Sequence, residues 1–500
     1  MSELSCARRL AVEIGRDARE RKAFASDLLD ARLGKSGLNA ADRAFTRVLV
    51  LGVVATVGTL DEVIGRCLDR AGDVGLQLRD ALRVSTYEII FLNKDAYVAV
   101  DQGVELAAFV QPRARRLANA VLRRIMAARK SFPFGDPQTD DAALARLYGF
   151  PLWMAQMFIA EMGRTSAEQF MAASNEPASV YFGVNALCTS DAAIENAFTR
   201  EKITLKPVTL PVVSAGESSA QRMPSTHRAP TTQTASSLHG AFATHKEFSG
   251  DTESSARTVT ISGCFEAPHA STVTSHVARR AFDQGQLLVS DAAAQAVALL
   301  ALPDVAPTSF LEVGSGRGTK TILLQSNAYR RFGTQMDLTC VDDHEFKMNV
   351  ASSRAERYGA HISHPLVADG RTLSPARFNA GFAAALVDAP CSGLGTLRRH
   401  PEIRWRLAPR DIAALAELEL DLITAAARLV VPFGQLTYAT CTVSAAENEG
   451  VIKRFLASDT GKQWRIVPTP VGGASKLFFK TTLTAGGCDA HFACRLRRIN

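Results

Sequence analysis

Apolar residues recur every three to four positions from Ala7 to Met126, as in LAVEIGRDARE, AFTRVLVLGVVATV, LRDALRVSTYEIIFL and YVAVDQGVELAAFV, with polar or glycine breaks between the runs. That spacing gives each segment one apolar helix face, and such faces are buried against one another, so the start of the chain reads as an all-α bundle. SFPFGDPQTDD ends the pattern, and a further helical pair is predicted over about 142–174. SVYFGVN is strand-like. From about 213 to 258 periodicity vanishes into Ser, Thr, Ala and His, a composition that cannot bury enough apolar surface to offset its ordering entropy, which predicts a disordered insertion. After Gly285 strands and helices alternate: SFLEV, a helix from Thr319, DLTCVD, a helix from Glu345, HPLVAD, AAALVD, a helix from Pro409, then QLTYAT. Alternation of this kind predicts a doubly wound, Rossmann-like α/β domain with its chemistry at the carboxyl ends of the strands.

The length of 500 residues exceeds one ordinary core, in keeping with several domains. The expected division is a helical domain over 1–130, a helical connector over 140–175, a small α/β region over 176–285 that contains the insertion, and the Rossmann-like domain over 286–500. Lys plus Arg outnumber Asp plus Glu by 57 to 50, and residues 1–130 carry 22 basic against 16 acidic side chains. Between Leu106 and Gly135 there is no acid, while Arg113, Arg115, Arg116, Arg123, Arg124, Arg129 and Lys130 cluster there. Such a run is either a solvated helix face or a stripe that contacts phosphates. Nine scattered cysteines with no C-x-x-C pair argue against a disulfide framework or structural zinc and point to a reducing compartment. The first twenty residues are interrupted by charge, and the longest apolar run, VLVLGVVATVGTL, falls short of a bilayer span; the expected location is the cytosol.

FLEVGSGRGTK sets Gly314, Gly316 and Gly318 between a strand and a helix, where a glycine turn lets backbone N–H groups approach a ligand closely. Asp342 ends the next strand, 24 residues after Gly318, where an acid can accept both hydroxyls of a ribose. Asp369, in VADGRT, would end the strand after that, beside an adenine amino group. Any one such acid could instead be a helix cap. The turn lacks the Walker lysine-hydroxyl signature and the full G-x-G-x-x-G form, which favours a methyl-donating adenosyl cofactor over a nucleoside triphosphate or NAD.

Cys391 in DAPCSGLG and Cys441 in LTYATCTVSAAENE lie fifty positions apart, each just after a predicted strand. Cys6, Cys67, Cys188 and Cys340 read as inert buried filler. Two thiols at strand ends beside a cofactor turn suit one particular reaction. Carbon 5 of cytosine is a feeble nucleophile toward a sulfonium methyl, but addition of a thiolate to carbon 6 makes the ring an enamine that attacks from carbon 5. The adduct must then lose its carbon 5 proton and expel the thiolate. Asp388 could hydrogen-bond the pyrimidine edge and stabilise protonation at N3.

LVDAPCSGLGTLRRHPEIRW and LTYATCTVSAAENE resemble the two cysteine motifs of the Sun (Fmu) family of RNA cytosine-C5 methyltransferases, and RRLANAVLRRI resembles the NusB-like RNA-binding domain of its bacterial members. The resemblance implies that Cys441 is the nucleophile and Cys391 assists product release. It implies S-adenosyl-L-methionine held by Gly314, Ser315, Gly316, Arg317, Gly318, Thr319, Lys320, Asp342, Asp369 and Asp388, and a small α/β region that is RRM-like. The implied substrate is a cytosine in 16S ribosomal RNA, naked or in a small-subunit assembly intermediate, with RNA contacts from Arg113, Arg115, Arg116, Arg123 and Arg124; a monomer without metal or membrane is expected. The chain departs from the family pattern in GSGRGTKT where C-A-A-P-G-G-K-T is typical, in Glu312 for Asp, Gly183 for Arg, Ser290 for Gln, and Ala490-His491 for Gly-Phe. Two other readings compete: a DNA cytosine methyltransferase, whose nucleophile follows a proline as Cys391 does, and a non-catalytic RNA-binding assembly factor with a drifted methyltransferase domain.

Overall fold

The computed structural model describes residues 3–70, 72, 74–211, 258–378, 380–469, 477–484 and 487–499. The insertion expected at about 213–258 falls outside the described residues.

Six helices make the N-terminal bundle: Cys6–Arg21, Ala25–Leu33, Ala40–Arg66, Leu76–Ile90, Ala96–Val110 and Arg115–Ala128. Their starts follow local capping chemistry, since Asn39 accepts the Asp42 N–H and Asp95 accepts those of Tyr97 and Val98. Helix Ala40–Arg66 is long and apolar enough to cross a membrane, but it is a core element here, with Leu49, Leu60, Val63 and Ile64 fully buried against the neighbouring helices. The guanidinium of Arg8 is clamped inside the bundle by both oxygens of Glu88 at 2.7 and 2.8 Å.

The connector contains three helices rather than the expected pair: Asp141–Tyr148, Leu152–Met162 and Arg164–Ala173. Gly163, at φ +80°, breaks what the apolar pattern joins into one segment. Next comes an antiparallel sheet of β1 (Tyr181–Val184), β2 (Lys206–Pro211), β3 (Thr258–Glu266) and β4 (Leu287–Val289) in the order β2-β3-β1-β4. With helices Asp191–Arg200 and His276–Asp283 this is a split βαβ arrangement. Phe182, Val184, Phe265 and Leu287 pack with Phe198 in the core shared with those helices. Tyr181, Ile261, Cys264 and Leu288 join the core of helix Ala292–Ala301, so both sides of this sheet are covered.

The large sheet contains β5 (Phe310–Val313), β6 (Leu338–Asp342), β7 (His364–Val367), β8 (Phe382–Asp388), β9 (Val430–Thr440), β10 (Trp464–Val467), β11 (Phe479–Lys480) and β12 (Phe492–Arg498). Its order is β7-β6-β5-β8-β9-β12-β10, with β11 beside β12. Strands β5 to β9 run parallel, whereas β12 is antiparallel to β9. The central strands β5 and β6 are buried along their whole length, which reflects cover on both faces, the signature of a parallel sheet in a Rossmann-like fold. The strand order reverses between β5 and β8, and ligands of such sheets bind in the crevice that this reversal opens at the carboxyl ends. Helices Ala292–Ala301 and Glu449–Ala457 and strands β10 to β12 are elements the sequence pattern did not single out.

Candidate active site

The glycine turn leaves β5 and crosses toward β6, with the N–H groups of Gly314 and Ser315 donating to the Val341 carbonyl at 2.9 and 3.1 Å. Gly314 has φ +83°, and a Cβ there would lie 2.2 Å from the Asp388 carbonyl oxygen, so the turn must be glycine to pass over β8. At Gly316, φ +56°, a Cβ would point into open space, and its N–H donates to Asp342 Oδ2 at 3.0 Å. Ser315 is buried, Arg317 is exposed, and Thr319 opens the following helix with Arg354 donating to its hydroxyl. Turn and acid thus brace one another at the switch point.

Lys320 Nζ contacts Asp388 Oδ2 at 2.8 Å. Burial acts to lower the Lys320 pKa, but the Asp388 carboxylate more than offsets it, so the ammonium is retained. Glu312 is fully buried beneath the turn, where the Thr321 hydroxyl donates to it at 2.7 Å and burial pushes its carboxyl up to about 7. Asp369 is held by its own turn. It lies two residues beyond the end of β7, caps a 3-10 turn, and is gripped by the guanidinium of Arg371 at 2.7 Å, which holds its carboxyl below the usual range.

The two cysteines come together. Sγ of Cys391 and Sγ of Cys441 are 3.3 Å apart, and the Cys441 N–H donates to Cys391 Sγ at 3.2 Å. The hydrogen bond with Cys441, and burial after it, raise the Cys391 thiol well above its ordinary pKa. Behind them lies a network that was not singled out from the sequence. Glu447 accepts the Ser392 N–H at 2.6 Å and the Ser392 hydroxyl at 2.7 Å, and Ser392 Oγ meets Thr442 Oγ1 at 2.7 Å. Asn448 accepts from the Thr440 hydroxyl at 2.6 Å and donates to the Thr442 carbonyl at 3.0 Å. The residue after each cysteine is therefore tied to one buried carboxylate. Its signal was the ENE that closes LTYATCTVSAAENE, three polar residues that this fold buries or half-buries.

A family model described as 16S rRNA methyltransferase RsmB/F matches residues 299–494, and one described as the NusB family matches residues 5–127. The catalytic region thus matches the RsmB/F methyltransferase family, and the helical bundle matches the NusB family. The chain is 29% identical over 469 residues to a probable ribosomal RNA small subunit methyltransferase B of Synechocystis sp., covering 92% of this chain and 91% of that one. A probable methyltransferase B of Bacillus subtilis is 24% identical over 440 residues, covering 87% and 85%. Among solved structures, PH0851 superposes with a TM-score of 0.71 at 20% identity over 99% of this chain and 100% of that one. NSun6 from Pyrococcus horikoshii, solved with SFG, gives 0.50 at 15% identity over 71% and 100%. These likenesses show the fold.

The first cysteine motif also joins the domains. Trp405 Nε1–H donates to the Ala55 carbonyl at 2.9 Å, and Arg406 donates to that of Ala23 at 2.7 Å. A Cβ at Gly58 would lie 2.1 Å from the Trp405 ring, so that glycine admits the indole. Arg404 is fully buried, bonding the Ser174 carbonyl at 2.9 Å and Asn175 at 2.8 Å. HPEIRW thus links Cys391 to both the bundle and the connector.

In the basic stripe Arg113, Arg116, Arg123 and Arg124 are exposed. Arg115 forms an ion pair with Glu105, just outside the acid-free stretch, and Arg124 pairs with Asp69 at 2.9 Å. Of the cysteines read as buried filler, Cys67 and Cys340 are buried, whereas Cys6 and Cys188 lie at the surface. Of the departures from the family pattern, Gly183 leaves room for Gln295, and His491 is buried where β12 begins.

Proposed function

We propose that this protein methylates carbon 5 of a cytosine in 16S ribosomal RNA, at the family's 967-type site, with S-adenosyl-L-methionine as cofactor and a covalent Cys441 adduct as intermediate. The observation that carries this reading is the pair of thiols, 3.3 Å apart, at the carboxyl ends of adjacent strands beside the Lys320–Asp388 pair. The cofactor fits the turn: the open space at Gly316 and the buried Asp342 carboxylate suit an adenosyl group lying across the switch point. Gly314 to Lys320, Asp342, Asp369 and Asp388 would hold it. When bound, it supplies an electrophilic methyl group.

The chain's own groups do the rest. Cys441 adds to carbon 6 of the cytosine, which places electron density on carbon 5. Asp388 meets the pyrimidine edge and balances protonation at N3, while the Lys320 ammonium, whose field reaches both Asp388 and Cys441, stabilises negative charge around them. As the carbon 5 proton is lost to water and its electron pair restores the 5,6 double bond, the Cys441 thiolate is expelled, and the Cys391 thiol, protonated at neutral pH, donates a hydrogen bond to that sulfur and so stabilises it. Glu447 holds both loops at this separation. The substrate places the enzyme in the cytosol, on naked RNA or on an assembling small subunit.

The deciding experiment purifies Cys391→Ala from growing cells and runs it on a denaturing gel with and without ribonuclease. Loss of release should strand RNA on the protein as a nuclease-sensitive band that vanishes when Cys441 is also replaced. If no band forms while the wild type methylates RNA, the release role is wrong; with neither band nor methylation, the protein is a non-catalytic binder.

A further inference from the structure

Beyond Thr440 the ladder between β9 and β12 opens, and a third segment enters it. Phe492 opposite Thr440 is the last pair. At the next step the Gly395 N–H donates to the Cys441 carbonyl at 2.9 Å and the Ala490 N–H donates to the Gly395 carbonyl at 3.0 Å, so the loop that follows Cys391 stands where β12 would otherwise be. Each polar group of a buried peptide needs a partner. Cys441 finds both of its partners in that one loop, since its N–H donates to Cys391 Sγ at 3.2 Å and its carbonyl accepts from Gly395. The backbone on either side of the Cys441 side chain is thereby fixed to the first cysteine motif.

Only glycine fits this slot. A Cβ on residue 395 would lie 1.9 Å from the Ala490 carbonyl oxygen and 2.7 Å from that of Cys441, and both are backbone atoms that no side-chain rotation moves aside. The loop is also anchored. Leu394 and Leu397 are fully buried in the connector core with Phe158 and Phe170. Arg398 donates to the carbonyls of Thr484, Gly487 and Cys488, in the segment that leads to Ala490. With loop and segment fastened together, an added methyl group has to open the hydrogen bonds on both sides of Gly395.

We infer that Gly395 is a positioning residue for methyl transfer: its backbone, inserted between Cys441 and Ala490, orients the Cys441 sulfur for attack on carbon 6 of the target base. The inference rests on the proposed reading of Cys441 as the nucleophile. Gly395 acts through Cys441 alone, so its loss strikes the attack and leaves binding of RNA and cofactor intact.

The test measures the attack by itself. In the Cys391→Ala background, where the adduct is not released, protein mixed with transcribed 16S ribosomal RNA and S-adenosyl-L-methionine accumulates the nuclease-sensitive band at a rate set by Cys441. Adding Gly395→Ala should slow that rate about a hundredfold at saturating RNA, the cost of displacing a reacting atom by about 1 Å, while both dissociation constants stay within about twofold of the parent. Leu397→Ala, which loosens the same loop in the connector core without touching either hydrogen bond of Gly395, should leave the rate close to that of the parent. An equal loss there assigns the effect to loop stability and overturns the inference, as does an undiminished rate with Gly395→Ala. Should Gly395→Ala fail to bind cofactor, Ala490→Pro, which removes the N–H that holds the Gly395 carbonyl, replaces it, and a parental rate in that variant overturns the inference equally. If the Cys391→Ala parent forms no adduct at all, the proposed function falls and this inference falls with it.

Discussion

Sγ of Cys391 and Sγ of Cys441 approach to 3.3 Å although fifty residues separate them, because the loops that follow β8 and β9 are both fastened to Glu447. A disulfide needs about 2.05 Å between sulfurs, a small closure from this geometry. Treatment with diamide, which takes up the two thiol hydrogens at its nitrogen–nitrogen double bond, should join these cysteines, abolish methylation and be reversed by dithiothreitol. Free-thiol counting before and after checks it. Retained activity with both thiols intact would contradict the geometry.

Glu447→Ala leaves the Ser392 N–H and two hydroxyls without their buried acceptor, at a cost of about 2–4 kcal/mol. Because the network positions the thiols but lies apart from the glycine turn, methylation should fall about a hundredfold or more while cofactor affinity changes little. Equilibrium binding alongside single-turnover rates separates the two; equal losses in both would assign Glu447 to the cofactor site.

Trp405→Ala removes the indole seated on Gly58 and the bond to the Ala55 carbonyl. The expected loss is roughly 2–4 kcal/mol, concentrated in docking of the bundle onto the catalytic domain. Limited proteolysis should release residues 1–130 faster from this variant and from Gly58→Val. Identical digestion profiles would show that the docking rests elsewhere.

Glu419 is buried, and burial pushes its carboxyl up to about 9. The folded state then holds a proton that the unfolded chain releases near pH 4.5, so stability from this group is full below that value and declines as pH rises toward 9. Glu419→Gln keeps the neutral form, and its stability relative to wild type should grow between pH 5 and 9, by roughly 2–3 kcal/mol. Urea unfolding at several pH values measures this; parallel curves would show that Glu419 is ionised in the fold.

For the basic stripe, Arg116→Ala and Arg123→Ala should each weaken RNA binding and reduce the slope of log affinity against log salt by about 0.7. Arg115→Ala should change it less, since Glu105 already neutralises that charge. Unchanged slopes in all three would remove the stripe from the RNA interface.

The helical bundle, the alternating α/β region, the glycine turn and both cysteine motifs were legible in the chain because each is a local pattern: a period, a breaker, or a thiol after an apolar run. Asp369 shows what a local pattern leaves open. VADGRT resembles a strand end, yet the acid lies beyond β7 and binds Arg371 two residues on, a local capping geometry that a strand pattern does not distinguish. Gly163 similarly divides a segment whose apolar spacing runs through it.

Sequence alone determined which chemical groups this protein possesses and on what kind of element each sits, because propensity and periodicity act over a few residues. Tertiary structure decided which of them meet. The 3.3 Å approach of two thiols, the single carboxylate of Glu447 behind both and the seating of Trp405 on Gly58 all arise from how distant elements pack. Those depend on the summed burial of two layered cores, and pairings between residues tens to hundreds of positions apart leave no periodic trace in the chain.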